Sequence, residues 1–235
     1  MRRRLRERGL RFYRLLRKPL LSQKNIKARL HWAENNVLYR EAQWDRIVWS
    51  DESRFCLRVC DGRARVWRER GKKRYDRSSL VETVTGFGGS VHVWAAIWTT
   101  GRSELEILES TVTGDSYVKT LEKFLRNSTP PAGWRFQDDN ARPHRAKVVS
   151  TFKEINNIRT IDWPAQSPDL NPIENVWDYI GRKLHSDLPE NLNKLKLKLR
   201  EIWKNMPQDF IVTLIRSMNR RISAVITARG LHTRY

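Results

Sequence analysis

The chain has 235 residues, a length that allows a sizeable hydrophobic core, and we expect one domain with short appendages. It carries 46 Lys and Arg against 26 Asp and Glu, which gives a formal net charge of +20 and a pI near 10.6. This excess of cations predicts a polyanionic partner, nucleic acid, without indicating which sequence is bound; the alternative is that the cations only solvate the surface.

Two features exclude other classes of protein. The longest run without Lys, Arg, Asp or Glu, residues 83–101, contains four Gly and four Thr. A membrane-spanning helix needs about 20 predominantly apolar residues, so we expect no membrane span. Two cysteines, Cys56 and Cys60, cannot complete a zinc site or a disulfide framework, and we interpret them as packing residues of a protein from a reducing compartment.

Residues 1–43 form a basic segment with helical spacing, and Ser22 is the expected N-cap of the helix in SQKNIKARLHWAENN. The opening MRRRLRERGLRFYRLLRKPLL has cations but no following apolar core and no cleavage site, so it is not a secretory signal. It is equally consistent with a nuclear-localisation patch, a DNA-contacting arm or a solvated linker.

The pattern changes to a period of two from Trp44, which predicts an antiparallel meander of three strands. The first strand ends at Asp51 and Glu52, the second is 55–60 and the third is 64–68. The basic segment 69–83 lacks a clear period and is expected to be a protruding loop. A further strand pair, GGSVHVWAAIW and ELEIL, and a helix over 115–127 follow.

Strands and helices then alternate, which implies parallel strands with crossover helices. The segments WRFQDD and IRTIDW are predicted strands, RAKVVSTFKEIN is a predicted helix, and another helix begins at Pro172. Two helical runs, 191–204 and 209–227, finish the chain. The prediction is an α/β, ribonuclease-H-like mixed sheet, three antiparallel strands then parallel βα units, flanked by helices. Its divisions are a basic arm (1–43), a catalytic core (44–187) and C-terminal helices packed on the core (188–235).

Three acidic residues are candidates for a metal site. Asp51 is predicted at the end of the first strand, Asp139 at the end of a later strand, and Glu174 in the first turn of a helix. Ligands bind at strand ends in such sheets, so the three carboxylates could meet there. Crowded carboxylates repel one another, whereas hard divalent cations take oxygen ligands. Two such ions about 3.5–4 Å apart can activate an attacking oxygen and stabilise a leaving one in a displacement at phosphorus.

Each acid also has a structural explanation. Asp51 and Glu52 could simply end a strand, and Asp138 and Asp139 could form a turn with Asn140. In Asn171-Pro172-Ile173-Glu174 the asparagine suits an N-cap, and the glutamate stands where a capping box has one.

The sequence motifs that surround the three acidic residues favour the catalytic interpretation. WSDESRF around Asp51, FQDDNARPH around Asp139 and WPAQSPDLNPIENVWDYI around Glu174 resemble the three signature blocks of Tc/mariner transposases, in order. The 34 residues between Asp139 and Glu174 resemble the spacing of the Tc-like branch. Further similarity in KPLLSQKNIKARLHWA, GGSVHVWAAI and SMNRRISAVITARG extends over nearly the whole chain.

The resemblance implies a ribonuclease-H-like core that cuts and pastes DNA. In such a reaction, activated water hydrolyses a phosphodiester at the transposon end, and the freed 3′-hydroxyl attacks target DNA, usually at TA. The implied triad is Asp51, Asp139 and Glu174, with two Mg²⁺ ions, replaceable by Mn²⁺. Asp51 would bridge both ions, and Asp139 and Glu174 would each hold one.

Further residues follow from the same resemblance. Asn140 and His144 are expected to support the metal ligands; the alternative is an Asx turn and a helix-start histidine. The Arg-rich loop 69–77 resembles in position a segment that contacts a partner subunit, which suggests a homodimer on double-stranded DNA. The expected nucleic-acid contacts in this loop are Arg70, Lys72, Lys73 and Arg74.

Two departures from the family pattern qualify the prediction. Asp138 stands where relatives commonly carry Gln and adds a negative charge beside the metal site. The chain also begins in what resembles the linker after two helix-turn-helix modules, so recognition of transposon ends is expected to be weak or absent. We predict a nuclear DNA transposase catalytic domain; the alternatives are a non-catalytic, DNA-binding or dimerising remnant and a ribonuclease-H-type nuclease acting on RNA–DNA hybrids.

Overall fold

The computed structural model describes residues 21–57, 89–109 and 111–235. Within these residues the chain forms five strands and eight helices. The strands are β1 Ile47–Cys56, β2 Ser90–Trp98, β3 Gly101–Arg102, β4 Glu106–Leu108 and β5 Arg135–Gln137. The helices are α1 Gln23–Asn36, α2 Glu41–Trp44, α3 Gly114–Asn127, α4 Lys147–Ile155, α5 Pro172–Ser186, α6 Leu192–Lys204, α7 Gln208–Ile215 and α8 Met218–Thr227.

The strands form one mixed sheet in the order β3-β2-β1-β5, with β4 also paired to β2. β1 and β2 are antiparallel from the Trp49–Ile97 pair to the Cys56–Ser90 pair. β5 is parallel to β1, and Trp49 is paired with Gln137. The mixed α/β fold predicted from the sequence is confirmed.

The first strand differs from its prediction. β1 is one strand of ten residues, so the expected division at Asp51 and Glu52 is wrong. The pairing with β2 continues without a break through the Asp51–Ala95 and Glu52–Trp94 pairs, because a carboxylate does not prevent a backbone ladder from forming. Asp51 therefore lies inside a strand and not at its end. The predicted third strand (64–68) and the loop 69–83 lie outside the described residues.

Two later elements are also shorter than predicted. The strand expected in IRTIDW is reduced to a single parallel bridge between Phe136 and Thr160. The helical run expected over 209–227 is two helices, α7 and α8, separated at Arg216 and Ser217. Ser217 Oγ donates to Leu214 O (2.6 Å), a local side-chain bond of the kind that competes with helix continuation. The helix at Gly114–Asn127 and the turn between β2 and β3 agree with the sequence.

Two apolar clusters lie on opposite faces of the sheet, as the period of two along β1 requires. Ile47 and Trp49 join the cluster formed with α1 and α5–α8, whereas Val48 joins the cluster with α3 and α4. The sheet is thus covered by helices on both sides, and the C-terminal helices share the same core cluster as α5. Within the described ranges, none of the helices combines the length and the apolarity that crossing a bilayer requires.

Gly230, just after the C-terminal end of α8, packs closely against the backbone of α1. Its φ is +83°, and a Cβ built on it would lie 2.2 Å from the Ile26 carbonyl oxygen. We expect Gly230→Ala to lower the free energy of unfolding by about 2 kcal/mol, because it adds both backbone strain and a clash with backbone.

Gly181 provides the matched control within a helix. A Cβ at Gly181 meets nothing within 4 Å, so Gly181→Ala should raise the free energy of unfolding by about 0.5–1 kcal/mol. Urea denaturation of both variants measures the two effects; equal changes in the two variants would contradict this explanation.

Candidate active site

The parallel pairing of β1 and β5 brings two of the three acidic residues together. Trp49 is paired with Gln137, the last residue of β5. Asp51 follows Trp49 by two residues within β1, and Asp139 follows Gln137 by two residues just beyond the end of β5. The third acid approaches through the start of α5, because the N-cap Asn171 donates its Nδ2 to Ser50 O (3.2 Å). Glu174 is in the first turn of that helix.

The electrostatics agree with this placement. Burial raises the pKa of the Asp51 carboxyl well above its usual range, and the charges of Glu174 and Glu52 raise it further. Burial also raises the pKa of Glu174, and the charge of Asp139 adds to the effect. Each of the three carboxylates thus interacts with another of the set, and bringing a cation between them would relieve the repulsion.

The structure does not show Glu174 in the capping box that would explain it as a purely structural residue. In a capping box the glutamate side chain would accept a hydrogen bond from the N–H of the N-cap residue. Here the N–H of Asn171 donates to Pro168 O (3.0 Å), and Asn171 itself caps the helix by accepting from Ile173 N (3.4 Å). Glu174 is therefore free of a capping role at the helix start.

His144 links the second acid to a fourth one. Its Nδ1 lies 2.8 Å from Asp139 Oδ1 and its Nε2 lies 3.2 Å from Glu52 Oε1. The ring also stacks on Tyr117, with centroids 4.0 Å apart. Burial opposes the charged form, but the hydrogen bonds and negative charges of Asp139 and Glu52 outweigh it and raise the pKa of His144 to about 10. A protonated His144 thus holds the two carboxylates from both ring nitrogens.

The Asp139 carboxylate is fixed by its own loop as well. Its Oδ1 accepts from Ala141 N (2.8 Å), and this bond together with His144 lowers the pKa of Asp139 despite its partial burial. Asn140, which lies between Asp139 and Ala141, has a φ of +60° and donates its Nδ2 to Trp163 O (2.9 Å). An asparagine tolerates this left-handed conformation better than most residues.

Sequence reasoning missed two residues of the site, Glu52 and Trp177. The sequence indicates Glu52 only as a possible strand end, because neighbouring residues of a strand point to opposite faces and Asp51 is the one expected at the site. Trp177 is one turn after Glu174, and its Nε1 donates to Asp51 Oδ2 (3.1 Å). The helical spacing of Glu174 and Trp177 is the signal that could have revealed this contact.

The carboxylate oxygens of the site are suitable ligands for a hard divalent cation, but their side chains do not converge on one point. Within the described ranges, no group of three or more His, Cys, Asp or Glu residues is arranged so that it could hold a metal ion. Asp51 and Asp139 instead direct an oxygen to protein donors, Trp177 Nε1 and His144 Nδ1. Carboxylate oxygens are nevertheless the ligands that Mg²⁺ or Mn²⁺ prefers, and the raised pKa values of Asp51 and Glu174 show that a nearby cation would relieve their repulsion.

The additional charge of Asp138 is compensated within the protein. Asp138 is buried, and its Oδ2 forms an ion pair with Lys153 Nζ on α4. The Lys153 ammonium also lies 5.9 Å from the ring centre of Tyr117. The negative charge expected beside the metal site is therefore paired with a cation on the side of α4.

We expect Lys153→Met to lower the free energy of unfolding by about 2 kcal/mol, because it leaves a buried carboxylate without its cation. The double variant Asp138→Gln/Lys153→Met should regain most of the loss, since neither charge is then buried. Thermal unfolding of the two single variants and the double variant gives the coupling; additive effects would contradict the pairing.

The other predicted residues are placed as follows. Cys56 is a half-buried, free thiol at the end of β1, and Cys60 lies outside the described residues. The four cations proposed to contact DNA also lie outside the described residues; they are Arg70, Lys72, Lys73 and Arg74.

Comparisons with known proteins agree on one family. A family model described as DDE superfamily endonuclease matches residues 46–196, and a helix-turn-helix model described as Transposase matches residues 1–37. The second match takes in most of the segment predicted as a basic arm. The Tcb1 transposase of Caenorhabditis briggsae is 37% identical over 242 residues, covering 100% of this chain and 87% of that protein. The Tc1 transposase of Caenorhabditis elegans is 36% identical over 238 residues, with the same coverage.

Solved structures of similar fold come from the Mos1 transposase. The Mos1 paired-end complex with the left transposon end superposes with a TM-score of 0.82 at 21% identity, over 99% of this chain and 70% of that one. The Mos1 catalytic domain alone gives a TM-score of 0.70 at 18% identity, over 92% of this chain and 99% of that one. The ribonuclease-H-like architecture predicted from the sequence is confirmed by these neighbours.

Proposed function

Since the chain belongs to the Tc/mariner transposases of the DDE endonuclease superfamily, we propose that Asp51, Asp139 and Glu174 are the catalytic carboxylates of its DNA-cleaving centre. The family makes the chain a DNA transposase endonuclease, and none of the comparisons favours the non-catalytic alternative. The observation that supports the residue assignment is the β1–β5 register, in which Asp51 and Asp139 each follow the Trp49–Gln137 pair by two residues. The charge of Glu174 also raises the pKa of Asp51, and the charge of Asp139 raises that of Glu174.

The centre uses divalent metal, Mg²⁺ with Mn²⁺ as a substitute, as two ions. Asp51 would contact both ions, Asp139 one and Glu174 the other. Mos1 paired-end complexes named with Mn and with Mg support the choice of metal, as do the oxygen donors present here. When bound, two ions activate the attacking oxygen and stabilise the leaving oxygen at phosphorus.

The protein's own residues position the reacting groups. His144 holds Asp139 through Nδ1 while Glu52 holds His144 through Nε2, so the carboxylate is fixed in orientation before the reaction. Asn140 anchors the same loop to Trp163. In the first step a water oxygen attacks the phosphodiester, the bond to the leaving oxygen breaks, and a 5′-phosphate and a free 3′-hydroxyl result. In strand transfer that 3′-hydroxyl attacks a target phosphodiester, and no covalent protein intermediate is needed.

The substrate is double-stranded DNA, with transposon ends for cleavage and TA sites as targets, and the chain acts in the nucleus. The charge of +20 supports binding to phosphate backbones, and the Mos1 neighbours are named as complexes with transposon-end DNA. Dimerisation on DNA uses the loop 69–77, with DNA contacts at Arg70, Lys72, Lys73 and Arg74. The chain is organised as the arm 1–43, the core 44–187 and the C-terminal helices 188–235.

Substrate preference tests this function against the nuclease alternative. Labelled duplex DNA and an RNA–DNA hybrid of the same sequence are incubated with the full chain in Mg²⁺ or Mn²⁺. We expect metal-dependent nicking of the duplex and joining of a supplied 3′-hydroxyl strand to target DNA. Cleavage confined to the hybrid would replace the transposase assignment with a ribonuclease-H-type activity.

A further inference from the structure

A groove beside the carboxylate site has no role in the function described so far. It encloses about 770 Å³ and is bounded by α1, by the turn around Asn140 and Arg145, and by the chain at 161–165. Among the described residues that line it, Lys24, Arg135 and Arg145 are cations and Asp162 is the one carboxylate. The excess of positive charge favours an anionic occupant.

The inner wall of the groove is aromatic. Trp32 and Trp163 line it and contact each other edge to face, with ring centres 5.0 Å apart. Tyr39 also lines the groove. The guanidinium of Arg135 lies 6.0 Å from the Tyr39 ring centre, and its Nη2 donates to the Tyr39 hydroxyl (3.2 Å). Aromatic rings beside cations are the surface on which proteins bind unpaired bases and their phosphates.

Polar side chains of the groove are already held in place. Asn25 donates its Nδ2 to Gln166 Oε1 (2.7 Å), and Asn36 donates to Trp32 O (2.7 Å). Asn140 donates to Trp163 O (2.9 Å). Side chains fixed before binding lose little conformational entropy when a ligand arrives, which favours a specific site over a general charged surface.

The groove also adjoins the reacting position. Asn140 lines it and directly follows Asp139, whose Oδ1 accepts from Ala141 N in the same turn. A DNA strand whose phosphodiester lies at Asp139 therefore has the groove within reach of the next nucleotide. The volume is within the range of about 300–1,000 Å³ typical of small-ligand pockets, which suits a single nucleotide.

We propose that this groove binds an unpaired nucleotide of the DNA strand flanking the phosphodiester at the carboxylate site. The proposal rests on the DNA-cleaving function above. The exposed cations Lys24 and Arg145 contact the phosphates, and the partly exposed ring of Tyr39 contacts the base. The buried pair Trp32 and Trp163 forms part of the groove wall. The chain would thus hold DNA ends whose terminal bases are unpaired more tightly than fully paired ends.

The test compares two labelled DNAs by fluorescence anisotropy without divalent metal, so that no cleavage occurs. One is a blunt duplex, and the other is the same duplex with a short single-stranded extension carrying 2-aminopurine. We expect the full chain to bind the extended DNA about fivefold or more tightly, since one stacked base contributes at least that much. The 2-aminopurine emission should fall on binding.

The variant Lys24→Gln/Tyr39→Ala/Arg145→Gln, which removes both the phosphate and the base contacts, should lose this preference and bind both DNAs with similar affinity. Arg200→Gln is the matched control, because Arg200 is an exposed cation on α6 outside the groove. This variant should lower the affinity for both DNAs equally and keep the preference for the extended DNA. Melting temperatures of all proteins verify that they are folded.

An unchanged preference in the triple variant, or no preference in the wild type, overturns the proposal that the groove binds an unpaired nucleotide. The proposed function is judged separately by adding Mg²⁺. A wild type that prefers the extended DNA but never cleaves would contradict the catalytic assignment and keep the groove, whereas a cleaving wild type without the preference would do the reverse.

Discussion

The Asp51→Asn variant is expected to lose DNA cleavage by about 1,000-fold or more and at the same time to melt at a higher temperature than the wild type. The activity falls because metal ions contribute several kcal/mol to such reactions and each 1.36 kcal/mol is a factor of ten in rate. The stability rises because burial and the charges of Glu174 and Glu52 disfavour the Asp51 carboxylate in the metal-free protein. Asparagine removes that charge and still accepts from Trp177 Nε1.

The rise in melting temperature should be about 2–4 °C in metal-free buffer, which corresponds to about 1 kcal/mol for a chain of this size. Asp115→Asn is the control, since Asp115 is an exposed acid at the start of α3. That variant should keep cleavage and gain no stability. A destabilised Asp51→Asn protein would show that Asp51 is a structural residue, whatever its activity.

The Asp169→Asn variant should lower the free energy of unfolding by about 3–5 kcal/mol, the usual effect of leaving a buried charge without its partner. Asp169 binds Arg29 through two bonds of 2.7 and 2.8 Å, and both side chains are buried. Its Oδ2 also accepts from the N–H and the hydroxyl of Thr233 (3.0 and 2.8 Å). The carboxylate thus joins α1, the C-terminal tail and the loop before α5.

The pH dependence of stability gives the same pair a second test. Burial alone would raise the pKa of Asp169, but Arg29 and the donors of Thr233 outweigh it and lower the pKa below its usual value. The stabilisation is therefore complete above the unfolded-state pKa of about 3.9 and is lost as the pH falls through the lower folded-state value. Below pH ~4 the stability of the wild type should approach that of Asp169→Asn.

An exposed ion pair provides the control for this prediction. Asp178 and Arg182 pair across one turn of α5, and more than half of each side chain is exposed. Asp178→Asn should leave urea denaturation unchanged within error, as is usual for surface pairs. Equal effects of Asp169→Asn and Asp178→Asn would contradict a special role for the buried pair.

The sequence predicted those parts of the fold that depend on local periodicity. The alternation along β1 and β2 and the helical spacing of α3 and α5 set their positions within a few residues. The same periodicity could not show that β1 continues through Asp51 and Glu52, because strand continuity depends on the pairing with β2. The strand in IRTIDW shrinks to one bridge for the same reason: its partner β5 is only three residues long.

The sequence could propose the acidic residues of the site but not their contacts. The sequence motifs around Asp51, Asp139 and Glu174 indicate these three acids. Their predicted positions at strand ends and at a helix start indicate that they lie close together. The contact between His144 and Glu52, however, joins residues 92 positions apart, and no local pattern predicts it. The pairing of Asp138 with Lys153 likewise depends on how α4 packs on the sheet. Both contacts arise from tertiary packing, which a single sequence does not encode in any periodic signal.

The central claim is that the chain cleaves and joins DNA through its own carboxylates and divalent metal. The direct measurement is nicking and strand transfer on labelled duplex DNA in Mg²⁺ or Mn²⁺, comparing the wild type with Glu174→Gln. We predict activity in the wild type that disappears with chelator, and loss of both steps in the variant with DNA binding intact. Equal cleavage by the two proteins, or salt-sensitive binding without cleavage in either, would contradict the claim.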